Sequence, residues 1–313
     1  MEIINGKMKM ADLVESNFRL LAVVSRMGID SSFGEHTVEE MCQRHSLDTD
    51  TFLLLCSVYS SDEGHPVSKM LRNARLSDIL FYLHRSHDYY LKDALVYLSE
   101  NIAALVAPCT EPQKKIFRRF FDDYKAELVK HFKFEEEWVI PYVQSLMIGQ
   151  RDSRFSIDQF EENHSNIEEK LSDLKNLIMN SLPQGCDSAL RFDLLRFIYT
   201  LHDDLARHTK VEDDVLVPMV RLIENPRASV DLKTKASHDT EERGGELSER
   251  EKEILVSVAQ GLINKEIADR HNISINTVIT HRKNITRKTG IKTVPGLTVY
   301  AILNNLVDIN TIE

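Results

Sequence analysis

No stretch of this 313-residue sequence approaches the roughly 20 apolar residues that a membrane-spanning helix needs, so no membrane association is expected. The start, Met1-Glu2-Ile3-Ile4-Asn5-Gly6-Lys7, lacks the basic residues and apolar run of a signal peptide, and a cytoplasmic location is expected. Cysteine is sparse. Cys42, Cys56, Cys109 and Cys186 are scattered and form no Cys-x-x-Cys pair, which argues for a reducing compartment and against a thiolate metal site. Convincing strand-like alternation is also missing. Positive charge is in deficit: the net charge of −10 disfavours nucleic-acid binding on average, but the charge is spread unevenly along the chain. What remains is the composition of a soluble globular protein, 42% hydrophobic and 28% charged, with room for two or three domains.

Helical periodicity dominates, and the expected fold is all-α. Residues 1–65 read as a small N-terminal helical module. One helix carries Leu13, Phe18, Leu21, Val24 and Met27 and stops at Gly28; others cover Val38–Arg44 and Asp50–Tyr59. Residues 75–225 read as a four-helix up-down bundle with helices near 76–106, 111–147, 157–181 and 188–222. Pro108, Pro112, Gly149, Pro183 and Gly185 mark the connections. Residues 226–245 form a polar linker, and residues 246–313 a last compact helical unit.

A set of histidines and glutamates occurs twice in the bundle. His87 precedes His131 by 44 residues and Glu135 follows four later; His164 precedes His208 by 44 and Glu212 follows four later. All recur at an offset of 77, as do the prolines Pro141 and Pro218 that follow. Positions four apart share a helix face, so His131/Glu135 and His208/Glu212 each aim two ligands inward, while the other two helices supply His87 and His164. Facing bundle helices build dinuclear sites in this way, with Glu135 and Glu212 as bridges. Imidazole with carboxylate suits iron, manganese or zinc rather than calcium or magnesium. His84, one turn before His87, is an alternative ligand; the offset and the core-side Leu91 and Leu95 favour His87. Glu136, Glu137, Asp213 and Asp214 read as solvated acidic faces.

This block resembles the hemerythrin-like di-iron domain over about 150 residues, and the family's pattern maps onto His87, His131, Glu135, His164, His208 and Glu212. The resemblance implies two iron ions in an oxo-bridged centre, in preference to zinc or manganese. Oxygen carriers of the family have a fifth histidine one turn from that of their third helix; here Phe160 and Glu168 flank His164 at one turn. The four-histidine, two-glutamate set looks instead like the repair-of-iron-centres proteins, with open positions for dioxygen or nitric oxide. Met27-Gly28-Ile29-Asp30 and Thr37-Val38-Glu39-Glu40 are similar to the short domain preceding the bundle in those proteins, but Ser31-Ser32 stands where they carry a Cys pair. The module is therefore read as a packing or dimerisation element.

The last unit opens with Leu247-Ser248-Glu249-Arg250-Glu251, in which Ser248 and Glu251 have capping-box spacing. Gly261 stops that helix, a short one begins at Asn264, and Ser274 caps a third through Lys288, giving a helix-turn-helix pattern. Lys265, Arg270, Arg282, Lys283, Arg287, Lys288 and Lys292 give it a local basic face. Leu-Ser-x-Arg-Glu-x-Glu-Ile-Leu, Asn-Lys-Glu-Ile-Ala and Ile-Ser-x-x-Thr-Val-x-x-His-x-x-x-Ile-x-x-Lys-x-Gly resemble the LuxR-type DNA-binding domain over nearly its whole length. The resemblance implies that this third helix enters the major groove of double-stranded DNA. Ile279, Thr280 and Lys283 would then meet base edges, and Lys265, Thr277, His281 and Lys288 would sit near the backbone or in support. It also implies a homodimer on an inverted repeat, paired through a final helix from Leu297 to about Val307.

Together the two motif sets predict a transcription regulator, not an enzyme, whose di-iron domain senses dioxygen, nitric oxide or redox state. The alternative is a di-iron enzyme that reduces nitric oxide or peroxide or repairs iron centres, with an autoregulatory DNA-binding domain.

Overall fold

The computed structural model describes residues 4–30, 32–61, 68–150, 155–162, 167–182, 185–225 and 246–307. The N-terminal helices are α1 (Met10–Ser16), α2 (Leu20–Arg26), α3 (Val38–Arg44), α4 (Thr49–Ser60) and α5 (Ser68–Asn73). Then come α6 (Leu76–Asp88), α7 (Leu95–Leu105), α8 (Glu111–Phe134), α9 (Ile140–Met147), α10 (Ile157–Glu162), α11 (Ile167–Asn180), α12 (Ser188–Val211) and α13 (Val217–Glu224). The chain ends in α14 (Glu249–Ala259), α15 (Asn264–His271), α16 (Ile275–Thr289) and α17 (Val294–Leu303). Among the described residues the fold is all-α; Lys9 and Thr37 form an isolated bridge. None of these helices is long and apolar enough to cross a membrane. Two compact units emerge, residues 1–94, 130–165 and 203–235, and residues 95–129, 166–202 and 236–313.

In the first unit, Thr37 and Glu40 close a capping box at the start of α3, and the Asp48 carboxylate accepts from the Thr51 backbone at 2.8 Å to start α4. The single helix expected through Met27 is instead two. Asn17 is extended and its side chain accepts from the Arg19 backbone N–H, a local bond that competes with the helix and restarts it as α2. Leu13, Val24 and Met27 are buried as expected, but the break turns Phe18 and Leu21 to solvent. One core joins this module to the bundle segments, with Phe52, Tyr82, Val143, Phe160 and Val220 packed together. Arg26, at the end of α2, is buried and donates from Nη1 to Asp204 Oδ1 of α12 and to Tyr59 Oη, both at 2.9 Å, with a second short contact from Nη2 to Asp204.

The second unit holds α7, α11, the early turns of α8 and α12, and the four C-terminal helices. Ser248 and Glu251 cap α14 reciprocally, and Lys288 of α16 binds Glu251 at 2.7 Å. Asn272 in the left-handed region turns α15 toward α16, which Ser274 caps. Val294–Leu303 is apolar on nearly every face, as befits a helix covered on more than one side. It packs against both α14 and α11. The carboxylate of Asp173 on α11, wholly buried, accepts from the backbone N–H groups of Lys292 and Thr293 at 2.8 and 2.9 Å and from the Thr293 hydroxyl. Burial pushes its pKa above the ordinary aspartate value, against the pull of those donors. A Cβ on Gly296 would stand 2.5 Å from Asp173 Oδ2, so glycine permits the approach. The final helix therefore starts three residues before the expected Leu297, because Thr293 is its cap.

Candidate functional site

Pro141 and Pro218 each follow a π turn, Glu135–Val139 and Glu212–Leu216. A proline has no N–H to give and its ring clashes with the carbonyl four residues back, so the preceding turn opens. Ile140 and Val217 then donate to the carbonyls of Glu135 and Glu212, five residues back. Both candidate bridging carboxylates thus stand at the first residue of a widened turn. The repeated prolines, Pro141 and Pro218, are the sequence signal for these turns.

Side-chain atoms of His87, Glu135, His208 and Glu212 converge within 4.8 Å of one another, all four residues being buried. His131 Nε2 lies 3.0 Å from Glu135 Oε1, which adds a fifth of the six proposed ligands. His164 lies outside the described residues. His87 Nε2 is 3.1 Å from Glu135 Oε2 and His208 Nε2 is 3.2 Å from Glu212 Oε1, yet neither ring nitrogen has hydrogen-bond geometry to a partner among the described residues. Rings and carboxylates crowd one buried point. Two carboxylates buried to 1–2% exposure need compensating positive charge, and a cation at that point would meet both needs. The donor set fits iron, manganese or zinc. Without a cation, burial would depress the His87 imidazole, but Glu135 and Glu136 on either side outweigh it and hold its pKa at about 9; a metal held by His87 would replace that proton.

Glu136 is not the solvated residue that its sequence suggests. Its Oε1 is 2.6 Å from His87 Nδ1, and its carboxylate also holds the exposed His84 at 2.9 Å. A proton on Nδ1, shared with Glu136, leaves the Nε2 lone pair aimed at the site. This places His84 outside the ligand cluster, as a partner of Glu136. Asp214 is buried as well, whereas Glu137 and Asp213 are exposed. Phe132, fully buried, stacks on His87 at 4.6 Å and on Tyr90 at 5.3 Å, and Tyr90 meets the edge of His208 at 5.3 Å. These rings wall the ligands from water. Glu136→Ala is expected to weaken metal binding by about 10–100-fold while leaving the helical content intact, read by competition with a chelator; an unchanged affinity would remove Glu136 from the site.

In the C-terminal unit, Thr277, Ile279, Thr280 and Lys283 are exposed on α16 and Lys265 on α15, while Val278 and Ile285 are buried beneath. His281 is half-buried. Lys288 turns inward to Glu251 and the Glu246 carbonyl, which is a supporting position. His271 fills the junction, with Nε2 2.8 Å from the Ser257 hydroxyl and its carbonyl accepting from Arg250.

Residues 78–220 match the hemerythrin HHE cation-binding domain model, and residues 245–301 match the model of bacterial regulatory proteins of the luxR family. This chain joins a hemerythrin HHE domain to a luxR-family DNA-binding domain. Among curated proteins it is similar to the oxygen regulatory protein NreC of Staphylococcus aureus strains JH9, JH1 and Mu3, each 44% identical over 62 residues, which are 20% of this chain and 29% of the relative. The chain thus spans under a third of the length of those relatives. No solved structure matches. The HHE domain implies a bound metal cation, and the converging cluster lies within it. Two contacts outside both motif sets, Arg26 with Asp204 and Asp173 with Thr293, are absent from any sequence pattern because their partners lie 178 and 120 residues away.

Proposed function

We propose that this protein is a DNA-binding transcription regulator whose hemerythrin domain holds two iron ions and senses dioxygen, nitric oxide or redox state. The observation that carries the reading is the union, in one chain, of a buried histidine–carboxylate cluster with an exposed recognition helix. The likeness to a protein named as an oxygen regulatory protein supports it, within the 62 residues shared. Iron, when bound, supplies the affinity for a small oxidant or gas. The protein's own residues do the rest: Glu136 sets the His87 ring, Phe132 and Tyr90 exclude water, and α16 presents Ile279, Thr280 and Lys283 to the major groove. A cytoplasmic setting follows from the role.

The polar linker lies outside the described residues. The coupling element we infer is α11, which carries Asp173, the residue that grips α17. Within α17 only Val294 and Pro295 are exposed, so homodimer pairing through that helix on an inverted repeat requires its release from α11. Gel-shift titrations of metal-free, reduced, oxidised and nitrosylated protein should differ in DNA affinity by about 5–100-fold between states, and Asp173→Ala should erase most of that difference. Equal affinity in every state would end the sensor reading. Multiple-turnover reduction of nitric oxide or peroxide alongside it would favour the di-iron enzyme.

A further inference from the structure

Two of the scattered cysteines meet. Cys109, in the turn before α8, and Cys186, in the turn before α12, place their Sγ atoms 3.8 Å apart across 77 residues of chain. That separation is the offset of the ligand repeat: the internal symmetry that brings Glu135 to Glu212 also brings Cys109 to Cys186. Both thiols are reduced, Cys109 buried and Cys186 part-exposed. Van der Waals contact leaves less than 2 Å for the sulfurs to close, since a disulfide bond measures about 2.05 Å, and both residues lie in turns rather than in helices. The other two cysteines form a contrast within the same chain. Cys42 and Cys56 are buried in the core of the N-terminal module, where burial pushes the Cys42 thiol up to about 12 and that of Cys56 higher still.

We propose that Cys109 and Cys186 are a redox modification site, at which a peroxide oxidises the pair to a reversible disulfide joining the starts of α8 and α12. Cys186, the part-exposed sulfur, attacks first. Its thiolate displaces hydroxide from the peroxide O–O bond, giving a sulfenic acid and, with one proton, water. Cys109, whose pKa burial raises to about 11, is the resolving thiol. Its sulfur displaces the sulfenic hydroxyl, the S–S bond forms, and a second water leaves. Two thiols thus give up two electrons and two protons, and the peroxide is reduced to two waters. The site needs no metal and does not depend on the regulator reading. It would couple oxidant exposure to the two helices that carry His131 and His208.

Peptide mapping of the full-length chain decides it. The protein is treated with hydrogen peroxide, its free thiols are alkylated after denaturation, and it is digested without reductant. The expected result is a peptide linking Cys109 to Cys186 that dithiothreitol releases, formed at least about tenfold faster than any modification of Cys42 or Cys56. Cys186→Ser should abolish the linked peptide and leave Cys109 alkylatable, and Cys109→Ala should leave a trappable sulfenic acid on Cys186. Metal-free protein should behave the same way. Peroxide treatment that leaves both thiols alkylatable, or that over-oxidises them separately without a linked peptide, would overturn the proposal.

Discussion

If the proposed two-iron centre is held as assigned, replacing Glu135 and Glu212 together with alanine should abolish metal binding. Each carboxylate is almost wholly buried and each touches a ligand histidine, Glu135 touching both His87 and His131. Without them the site keeps imidazoles but no anion to balance divalent charge and no oxygen able to bridge two cations. The loss should appear twice. Metal analysis of anaerobically purified protein should fall to background, and added metal should no longer raise the unfolding midpoint. In the parent chain, metal at about 1,000 times its dissociation constant contributes roughly 4 kcal/mol to the native state; in the double variant that contribution vanishes. Two irons per chain retained after both substitutions would refute the bridging assignment, and with it the dinuclear reading.

Arg26→Ala should cost about 3–5 kcal/mol of stability, the usual consequence of leaving one member of a buried ion pair without its partner. Arg26 is only 5% exposed and Asp204 9%. Tyr59 and Tyr82 share the cluster, 2.6 Å apart through their hydroxyls, and the guanidinium lies over the Tyr90 ring at 4.9 Å. Urea unfolding measures the cost. Arg26→Met combined with Asp204→Leu should recover most of it, because an apolar pair avoids the desolvation of both charges. A single-variant loss under about 1 kcal/mol would show that the cluster is solvated in solution. Asp204 also sits one turn before His208, so the single variant should lower metal affinity too, whereas Glu136→Ala acts on His87 without that global loss.

Much of this molecule is legible along the chain wherever its interactions are local. The helix-turn-helix can be read from Ser248, Gly261 and Ser274, because capping spans three residues and a left-handed stop spans one. Helices within a few residues of 76–105, 111–147 and 188–224 follow from apolar periodicity, since a helix's hydrogen bonds close within four residues. The ligand repeat is legible for another reason: duplication writes a spatial symmetry into the sequence as a constant offset. That same offset held information that composition hid, namely the π turns ahead of Pro141 and Pro218 and the meeting of Cys109 with Cys186.

By itself, then, the sequence determined the all-α class and the residues offered as ligands, because these rest on short-range geometry or on repetition, while both domains were legible through their resemblance to known families. Only the tertiary structure decided which charges would be buried together. Glu136 reads as one acid in a run of three, yet it orients His87; Arg26 and Asp173 belong to no motif in the sequence, yet each is sequestered against a partner more than 100 residues away. The physical reason is that a buried charge is tolerated only where folding has already delivered its counterpart, and that delivery depends on the packing of distant helices, which no local pattern records.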